Sequence, residues 1–369
     1  MPRITAASFE AAADPLFDKE PGAERAVALG AASWTATRAE DFATGVELYD
    51  REWAFGAPMM RLACLSQVSL RHEHLAAELA EPIRRAAEEV VSDDARRFTK
   101  MKWGSDPLDE DVVGHDHAAY LGYAGIALGL ARATGDETAS RAHDIVVARL
   151  RTRMLAARGY WLATYPGEVY PVDMASTVGA LALAARLDGV DPLHDDTVAL
   201  GLDRVTEGIN EQTGMLNQSV MPDKGAIDGP RGSGTFLASY FLLAADPDLS
   251  RSLYEAGRRE LRDSSLGFVA MRERPVSAPG KGDIDSGPIL FGYGVSSTGF
   301  ALAPARAFGD RGTFTGLYAT ASLFGVPMST EDGGVRHLAG GPLGDAILCA
   351  MATAPTPEEL ASWARGDRS

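Results

Sequence analysis

Two acidic residues in the segment GDIDSGP are the clearest candidates for acid–base chemistry. Asp283 and Asp285 are separated by one residue, and neighbouring carboxylates repel each other when both are ionised. This repulsion raises the pKa of one of them and suits Asp285 to act as a general acid. Asp173, in YPVDMAS, is a candidate for the base. The alternative for each Asp is a structural role as a helix N-cap, since carboxylates accept hydrogen bonds from first-turn amides.

Two histidines form a second candidate motif. His115 and His117 lie two residues apart in GHDHA, where one of them could act as an acid or base or could bond to a substrate. This spacing does not place both rings on one helical face, and no cysteine is close in sequence. We therefore expect no metal site, and the structural alternative is a capping or buried histidine.

Basic and aromatic residues near these motifs are candidates for substrate binding. Arg231 and Lys281 would favour a carboxylate or phosphate group on the substrate, or they could only balance the nearby aspartates. A concave site with a few convergent polar groups and aromatic walls is typical of small-molecule pockets. The remaining candidates supply hydroxyl groups or aromatic surface: Ser233, Tyr120, Tyr123, Tyr170, Phe236, Tyr240 and Tyr293, together with the carboxylate of Glu168.

A repeat in the chain positions these residues. Apolar helical segments rich in Gly, Ala and Ser begin near Gly56, Gly114, Tyr170, Gly229, Asp285 and Gly341, at intervals of 58, 56, 59, 56 and 56 residues. Amphipathic segments with one charged face lie between them. Each unit of about 57 residues therefore contains one inner and one outer helix.

Six such helix pairs predict an all-α protein with the (α/α)6 toroid fold, with short β-hairpins in the connections. Residues 1–55 would form an N-terminal arm and the outer helix that completes the ring, and residues 56–369 would form the toroid, in a single domain overall. An open solenoid is the alternative. Residues 159–169, 214–221 and 267–272 could form the hairpins.

Ring closure has a consequence for the two cysteines. Cys64 and Cys349 each lie eight residues after the start of the first and sixth repeats. Because neighbouring helix axes are 8–10 Å apart, closure predicts that their Cα atoms lie within about 15 Å.

A closed ring would also bring the candidate site residues together at one end. Its inner helices run in one direction, so their positive N-terminal ends meet at one mouth. Repeats two and five would face each other there, which places His115 and His117 opposite Asp283 and Asp285.

Composition excludes several function classes. The formal net charge of −16 argues against nucleic-acid binding, and no apolar run approaches the ~18 residues needed to cross a membrane. The sequence has no signal-peptide core, P-loop, zinc-protease, CxxC or GxSxG motif. We expect a cytoplasmic protein without a cofactor that acts on a small molecule, and the oligomeric state stays open.

The repeat resembles the six-hairpin enzymes over about residues 56–355. That superfamily includes glycosidases, unsaturated glucuronyl hydrolases, polysaccharide lyases, linalool dehydratase-isomerase-like proteins and terpenoid cyclases. Similarity to the glucuronyl hydrolases implies that Asp173 and Asp285 are the acidic residues at the mouth. GDIDSGP also resembles the DxDD motif of class II terpenoid cyclases, with Ser286 as its last residue. Val172 stands where the linalool family has a cysteine, so that chemistry does not transfer.

Three functions follow as hypotheses. The first is a hydrolase or lyase that uses carboxylate acid–base catalysis on a small polar molecule resembling a sugar, neutral or anionic. The second is an acid-initiated cyclase or isomerase of an isoprenoid that uses Asp283 and Asp285. The third is a toroid that binds a ligand without catalysis. A sugar site needs hydrogen-bonding groups throughout its depth, whereas an isoprenoid site becomes apolar below the acid.

Overall fold

The chain is mostly helical, as the sequence predicts. The computed structural model describes residues 2–35, 37–110, 114–280, 287 and 289–366. The helices in this part of the chain are α1 (Pro2–Phe17), α2 (Pro21–Ala32), α3 (Glu47–Arg71), α4 (Ala76–Val90), α5 (Arg97–Trp103), α6 (Ala118–Thr134), α7 (Glu137–Ala156), α8 (Pro171–Leu187), α9 (Asp196–Glu207), α10 (Gly232–Phe241), α11 (Pro247–Leu261), α12 (Val295–Phe300), α13 (Leu302–Ala307), α14 (Arg311–Gly325), α15 (Gly341–Ala352) and α16 (Pro357–Ala364).

Short antiparallel hairpins occupy the connections between the helices. Their strands are β1 (Asn217–Met221) with β2 (Gly225–Pro230), β3 (Arg262–Ser265) with β4 (Phe268–Met271), β5 (Ile289–Leu290) with β6 (Tyr293–Gly294), and β7 (Pro327–Ser329) with β8 (Val335–His337). The predicted segments 214–221 and 267–272 each contain one strand of a hairpin, β1 and β4, while β2 and β3 lie outside them. The third segment, 159–169, contains a bridge between Tyr165 and Glu168. The β5–β6 and β7–β8 pairs were not predicted.

The inner helices close into a ring. Helices α3, α6, α8, α10, the consecutive α12 and α13, and α15 each contact the next, and α15 contacts α3. Cys64 and Cys349 lie on these last two helices, with their Cα atoms 5.6 Å apart and their sulfurs joined in a disulfide. The prediction of an (α/α)6 toroid is confirmed, and the open solenoid is wrong.

Outer helices cover the ring. Helices α4, α7, α9, α11 and α14 pack against the inner helices that precede them, while α2 packs on α3 and α15, and α1 packs on α14. In α11 the apolar face is buried through Leu253, Tyr254 and Leu261, which is the arrangement expected of an amphipathic helix. Helix α3 begins at Glu47, so the boundary suggested at residues 55 and 56 falls inside this helix.

Glycines allow the inner helices to approach each other closely. A Cβ on Gly122 of α6 would lie 2.1 Å from Ser176 Oγ on α8, and one on Gly179 of α8 would lie 2.3 Å from the carbonyl oxygen of Phe241 in α10. Contacts this short are forbidden to any side chain. The glycine-rich composition of the apolar segments is therefore a packing requirement of the narrow ring.

The fifth inner helix starts later than the sequence suggested. We expected its start at Asp285, but the helix begins at Val295 and is divided into α12 and α13. The residues before it pair as strands β5 and β6, and Gly292 makes the turn with a positive φ of 89°. Asp285 lies outside the described residues.

A buried ion cluster ties the ring together at the C-terminal ends of the inner helices. Glu24 of α2 is fully buried and accepts hydrogen bonds from Arg71 at 2.8 and 2.9 Å and from Arg306. His72 Nε2 lies 2.8 Å from the same carboxylate, and Arg71 also donates to Glu359 of α16 at 2.9 Å. Burial alone would raise the pKa of Glu24, but the charges of the two arginines lower it to about 2.

No helix in the described residues has the length and apolarity to cross a membrane. The disulfide is the observation that bears on the compartment, since such bonds persist mainly in oxidising environments. It argues against the expected cytoplasmic location.

Replacing Glu24 by Gln should destabilise the protein strongly, because buried Arg306 would lose its counter-ion and buried Arg71 would lose one of its two carboxylate partners. We expect a loss of about 3–5 kcal/mol in the free energy of unfolding, measured by urea denaturation. Glu78→Gln is the control, because the Glu78–Arg25 pair is exposed and is worth about 1 kcal/mol or less. Equal losses in the two variants would contradict the role of the buried cluster.

The disulfide should stabilise the ring by restricting the unfolded chain. Because the two cysteines are 285 residues apart, reduction should lower the free energy of unfolding by about 5–6 kcal/mol in the loop-entropy description. The measurement compares urea denaturation with and without dithiothreitol, with Cys64→Ala/Cys349→Ala as the variant that reductant should not affect. Two reactive thiols in the unfolded, unreduced protein would disprove the bond.

Candidate active site

A large cavity opens at the N-terminal ends of the inner helices. Its volume is about 1050 Å³, and the first turns of α8, α10, α12 and α15 reach its wall through Asp173, Ser233, Val295 and Gly341. Glu52 of α3 and Tyr123 of α6 also line it. The N-terminal ends of the inner helices therefore share one mouth, where their dipoles favour negative charge.

Asp173 is the most perturbed carboxyl group at this cavity. It is 6% exposed, and its oxygens accept hydrogen bonds from Tyr123 Oη at 3.0 Å and from Thr164 Oγ1. Burial raises the pKa of Asp173 to about 6, although the two hydroxyl donors act in the opposite direction. The N-cap of α8 is Tyr170, and Asp173 accepts its hydrogen bonds from the side-chain hydroxyls of Tyr123 and Thr164. The N-cap alternative for Asp173 is therefore wrong.

Two consecutive residues before α8, Thr164 and Tyr165, each donate a hydrogen bond to a carboxylate at the cavity. Thr164 bonds to Asp173, and the next residue, Tyr165, donates its hydroxyl to Glu52 at 2.9 Å. The Lys102 ammonium lies 5.1 Å from the centroid of the Tyr165 ring. Both carboxylates and Lys102 line the cavity, so this side combines acidic groups, hydroxyl groups and one cation.

Tyr170 and Glu168 extend the polar side toward solvent. Tyr170 donates its hydroxyl to Glu168 at 2.7 Å. Burial, followed by the contact with Glu168, raises the pKa of Tyr170 above its ordinary value. Tyr170 therefore stays a neutral phenol that can hydrogen-bond to a ligand.

Arg231 and Ser233 line the cavity but share an internal partner. Arg231 Nε and Ser233 Oγ donate to the same oxygen of Glu273, at 2.7 and 2.6 Å. Arg231 and Glu273 are both about 1% exposed. The arginine charge is thus balanced within the protein, as a buried cation requires.

The sequence candidates divide between the cavity and its surroundings. Asp173, Tyr123, Tyr170, Arg231, Ser233 and Tyr293 line the cavity. Tyr293 lies on its rim and donates to Asp263 at 2.6 Å. Lys281, Asp283 and Asp285 lie outside the described residues.

The two histidines do not reach the cavity. His117 is buried in a left-handed conformation with φ of 53°, and its ring nitrogens bond to Thr99 at 2.7 Å and to Ser105 at 3.1 Å. Both His115 and His117 pack against Trp103. Burial, together with the charge of Arg153, lowers the pKa of His117 to about 3. The structure therefore corresponds to the buried-histidine alternative.

Three aromatic candidates also belong to the core. Tyr120 donates to the carbonyl of Val90 at 3.1 Å, and the Tyr240 hydroxyl accepts from Gln67 at 2.5 Å. Phe236 is fully buried against Gly257. None of the three lines the cavity, because their positions on α6 and α10 turn them toward neighbouring helices.

The opposite side of the cavity is apolar. It is built from α12, α14, α15 and the residues between β8 and α15, and its large side chains are Phe300, Phe324, Leu338, Leu343, Ile347 and Leu348. No Asp, Glu, Lys or Arg from α12, α14 or residues 337–348 appears among the described lining residues. His337 is the titratable group there, with Nδ1 3.1 Å from Asp345.

Metal binding finds no support in the described residues, where no group of three or more His, Cys, Asp or Glu could hold an ion. The absence of a cofactor stays a prediction.

Solved structures with the same architecture exist among carbohydrate-active enzymes. An α-mannanase of glycoside hydrolase family 76 from Bacteroides thetaiotaomicron aligns with a TM-score of 0.50 and 9% identity, over 81% of this chain and 84% of that one. A family 105 glycoside hydrolase from C. acetobutylicum aligns with a TM-score of 0.51 and 11% identity, over 82% and 93%.

The fold of this chain is similar to that of the six-hairpin glycosidases. At these identities the likeness shows the fold alone. No protein-family model and no curated protein matches the sequence.

Sequence reasoning missed several residues of this toroid's cavity. Glu52 and Trp53 lie within residues 1–55, which we treated as an arm, although they follow the start of α3. Lys102 reaches the cavity from the short helix α5, which belongs to no predicted helix pair, and Tyr165 reaches it from the connection before α8. The acidic and aromatic side chains in YPGEVYPVD were the signal that could have indicated this wall.

The raised pKa of Asp173 should appear in the pH dependence of stability. The folded state holds this proton up to pH ~6, whereas an unfolded Asp releases it near pH 3.9, so stability is lost as pH rises through that window. Relative to Asp173→Asn, the wild type should lose about 2–3 kcal/mol of unfolding free energy between pH 4 and 6.

Asp195→Asn is the matched control for this titration. The pKa of Asp195 is lowered, because the donors Arg151 and Thr197 outweigh the effect of burial. The free energy of unfolding of the wild type minus that of Asp195→Asn should therefore rise with pH in the acid range. The corresponding difference for Asp173→Asn should fall. If the difference in unfolding free energy between the wild type and Asp173→Asn does not change between pH 4 and 6, the raised pKa of Asp173 is contradicted.

Proposed function

We propose that the protein is a hydrolase that cleaves a glycosidic bond, with Asp173 as the group that transfers the proton. The observation that carries this proposal is a buried carboxyl group with a pKa of about 6 in the wall of a large cavity. A proton-transfer group works best when its pKa lies near the operating pH. The shared fold with glycoside hydrolases supports sugar chemistry.

In this proposal Asp173 donates its proton to the oxygen of the leaving group. The electrons of the bond between the anomeric carbon and that oxygen move to the oxygen, and water attacks the carbon. Glu52, held by Tyr165, accepts a proton from the water. Tyr123 and Thr164 donate hydrogen bonds to Asp173 and stabilise the carboxylate that forms after transfer.

This assignment differs from the one made on the sequence, where Asp285 is the acid and Asp173 the base. A pKa raised by burial favours the protonated form, which supports the acid role for Asp173. A role for Asp285 stays a prediction.

Hydroxyl groups near Asp173 support a sugar as the substrate. Tyr165, Tyr170 and Gln218 line the polar side of the cavity, where they can bond to sugar hydroxyls. Lys102 is a cation on the same side that could pair with an anionic substituent. Arg231 contributes less, because Glu273 already balances its charge.

The apolar side of the cavity favours a second candidate function. An acid-initiated cyclase or isomerase of an isoprenoid would use Asp173 to protonate a double bond and the apolar wall to hold the hydrocarbon. The tyrosines and carboxylates around Asp173 support the sugar hydrolase more strongly, since a hydrocarbon would leave them without partners. A toroid without catalysis would not need a buried carboxyl group that accepts hydrogen bonds from two hydroxyls in the cavity wall.

The proposed function is tested with a panel of 4-nitrophenyl glycosides. We expect release of nitrophenol from at least one member, and a loss of at least a hundredfold in turnover in Asp173→Asn, the scale of acid–base catalysis. Near-ultraviolet circular dichroism should show that the variant stays folded.

Asp195→Asn provides the matched control, because it makes the same substitution at the N-cap of the outer helix α9, and Asn caps helices as well as Asp does. It should keep wild-type turnover. Full activity in Asp173→Asn would exclude the proposed mechanism, and conversion of an isoprenoid diphosphate or alcohol without hydrolysis of any glycoside would favour the second candidate.

A further inference from the structure

We propose that the substrate is amphiphilic: a sugar joined through the scissile bond to an extended apolar aglycone. This inference rests on the proposed function, because it assigns the two sides of one cavity to the two parts of one substrate. Neither relative is described as acting on such a molecule.

The order of the inner helices around the ring places the polar side of the cavity opposite its apolar side. In the ring α3, α6, α8, α10, α12–α13 and α15, α15 is three places from α8, and α12 is three places from α6. Asp173 on α8 therefore faces Ile347 and Leu348 on α15, and Tyr123 on α6 faces Phe300 on α12. A ligand with its sugar at Asp173 extends its leaving group toward these apolar side chains.

Among the described residues, the apolar side offers a second sugar the hydroxyl groups of Ser296, Thr298 and Thr320 but no Asp, Glu, Lys or Arg side chain. Thr320 donates its hydroxyl to the carbonyl of Val269 at 2.7 Å, and Thr298 accepts from the amide of Met271 at 3.1 Å. Asp345 holds the Nδ1 edge of His337, and His337 Nε2 is buried. A sugar placed here would recover from these residues only some of the hydrogen bonds that it makes to water, which is unfavourable.

The apolar surface continues from the cavity to its rim. Phe291 in the β5–β6 turn is 97% exposed, Phe324 at the end of α14 is 66% exposed, and Leu338 is 51% exposed, and all three line the cavity mouth. Exposed apolar side chains of this size that line one cavity are typical of a binding groove.

The size of the cavity agrees with a long ligand. A volume of about 1050 Å³ is at the upper end of the range for pockets that enclose drug-sized molecules. It is large for one sugar and accommodates a sugar with an alkyl or aryl chain.

The test measures binding of methyl and octyl glucosides and mannosides by calorimetry, below their micelle concentrations. Because burial of each additional methylene group is favourable, at least one octyl glycoside should bind at least tenfold more tightly than its methyl counterpart. It should also bind at least tenfold more tightly than 1-octanol, because the sugar bonds to the polar side.

Variants of the apolar side localise the effect. Ile347→Asn should lower the octyl-to-methyl affinity ratio to below threefold, and Phe324→Ser, at an exposed position that tolerates substitution, should lower it in the same direction. Leu193→Ser is the matched control, because Leu193 is 57% exposed and does not line the cavity. It should keep the wild-type ratio.

Each other outcome has a definite meaning. Equal affinity for methyl and octyl glycosides, no binding of either, or equal affinity for octanol and octyl glycosides would overturn the amphiphilic substrate. If octyl glycosides bind in the expected order but no glycoside is hydrolysed, the proposed hydrolysis is wrong and the amphiphilic ligand is retained.

Discussion

The buried carboxylate of Glu24 connects the elements that must meet for the ring to close. Arg71 ends α3, Arg306 lies in the last turn of α13, and both donate to Glu24 of α2. Removal of two arginines and a glutamate from water is costly, and only their mutual contacts offset that cost. Arg71 also donates to Glu359 of α16, so the cluster favours an arrangement in which the first, fifth and sixth repeats are neighbours. The Cys64–Cys349 disulfide joins the first and sixth repeats along their inner helices α3 and α15.

Closure determines the chemistry at the other end of the helices. With arginines at the C-terminal ends, the N-terminal ends meet around a cavity where Asp173 is removed from solvent and held by two hydroxyl groups. Burial then raises the pKa of Asp173 to about 6, against the effect of the two hydroxyl donors. The ring also brings the apolar helices α12 and α15 to the side opposite α6 and α8, so one closure produces both a reactive carboxyl group and an apolar wall.

Much of this architecture could be predicted, because the apolar segments that form the inner helices begin at intervals of 56–59 residues. Asp173 could be placed at the mouth for the same reason, since Pro171 marks the start of its helix. The positions of His115 and His117 could not be predicted, because the left-handed backbone conformation of His117 turns both rings away from the cavity. Glu52 and Tyr165 could not either, because their contact joins residues 113 positions apart through a connection without periodicity.

In the proposed complex, Asp173 contacts the scissile bond of a glycoside whose apolar part lies toward α15. A crystal structure of Asp173→Asn soaked with an octyl glycoside tests it most directly. We expect the glycosidic oxygen to lie within hydrogen-bond distance of the residue 173 side chain, with the octyl chain against Ile347 and Leu348. A sugar bound among the α12 and α15 side chains, or a ligand that leaves Asp173 without contact, would contradict it.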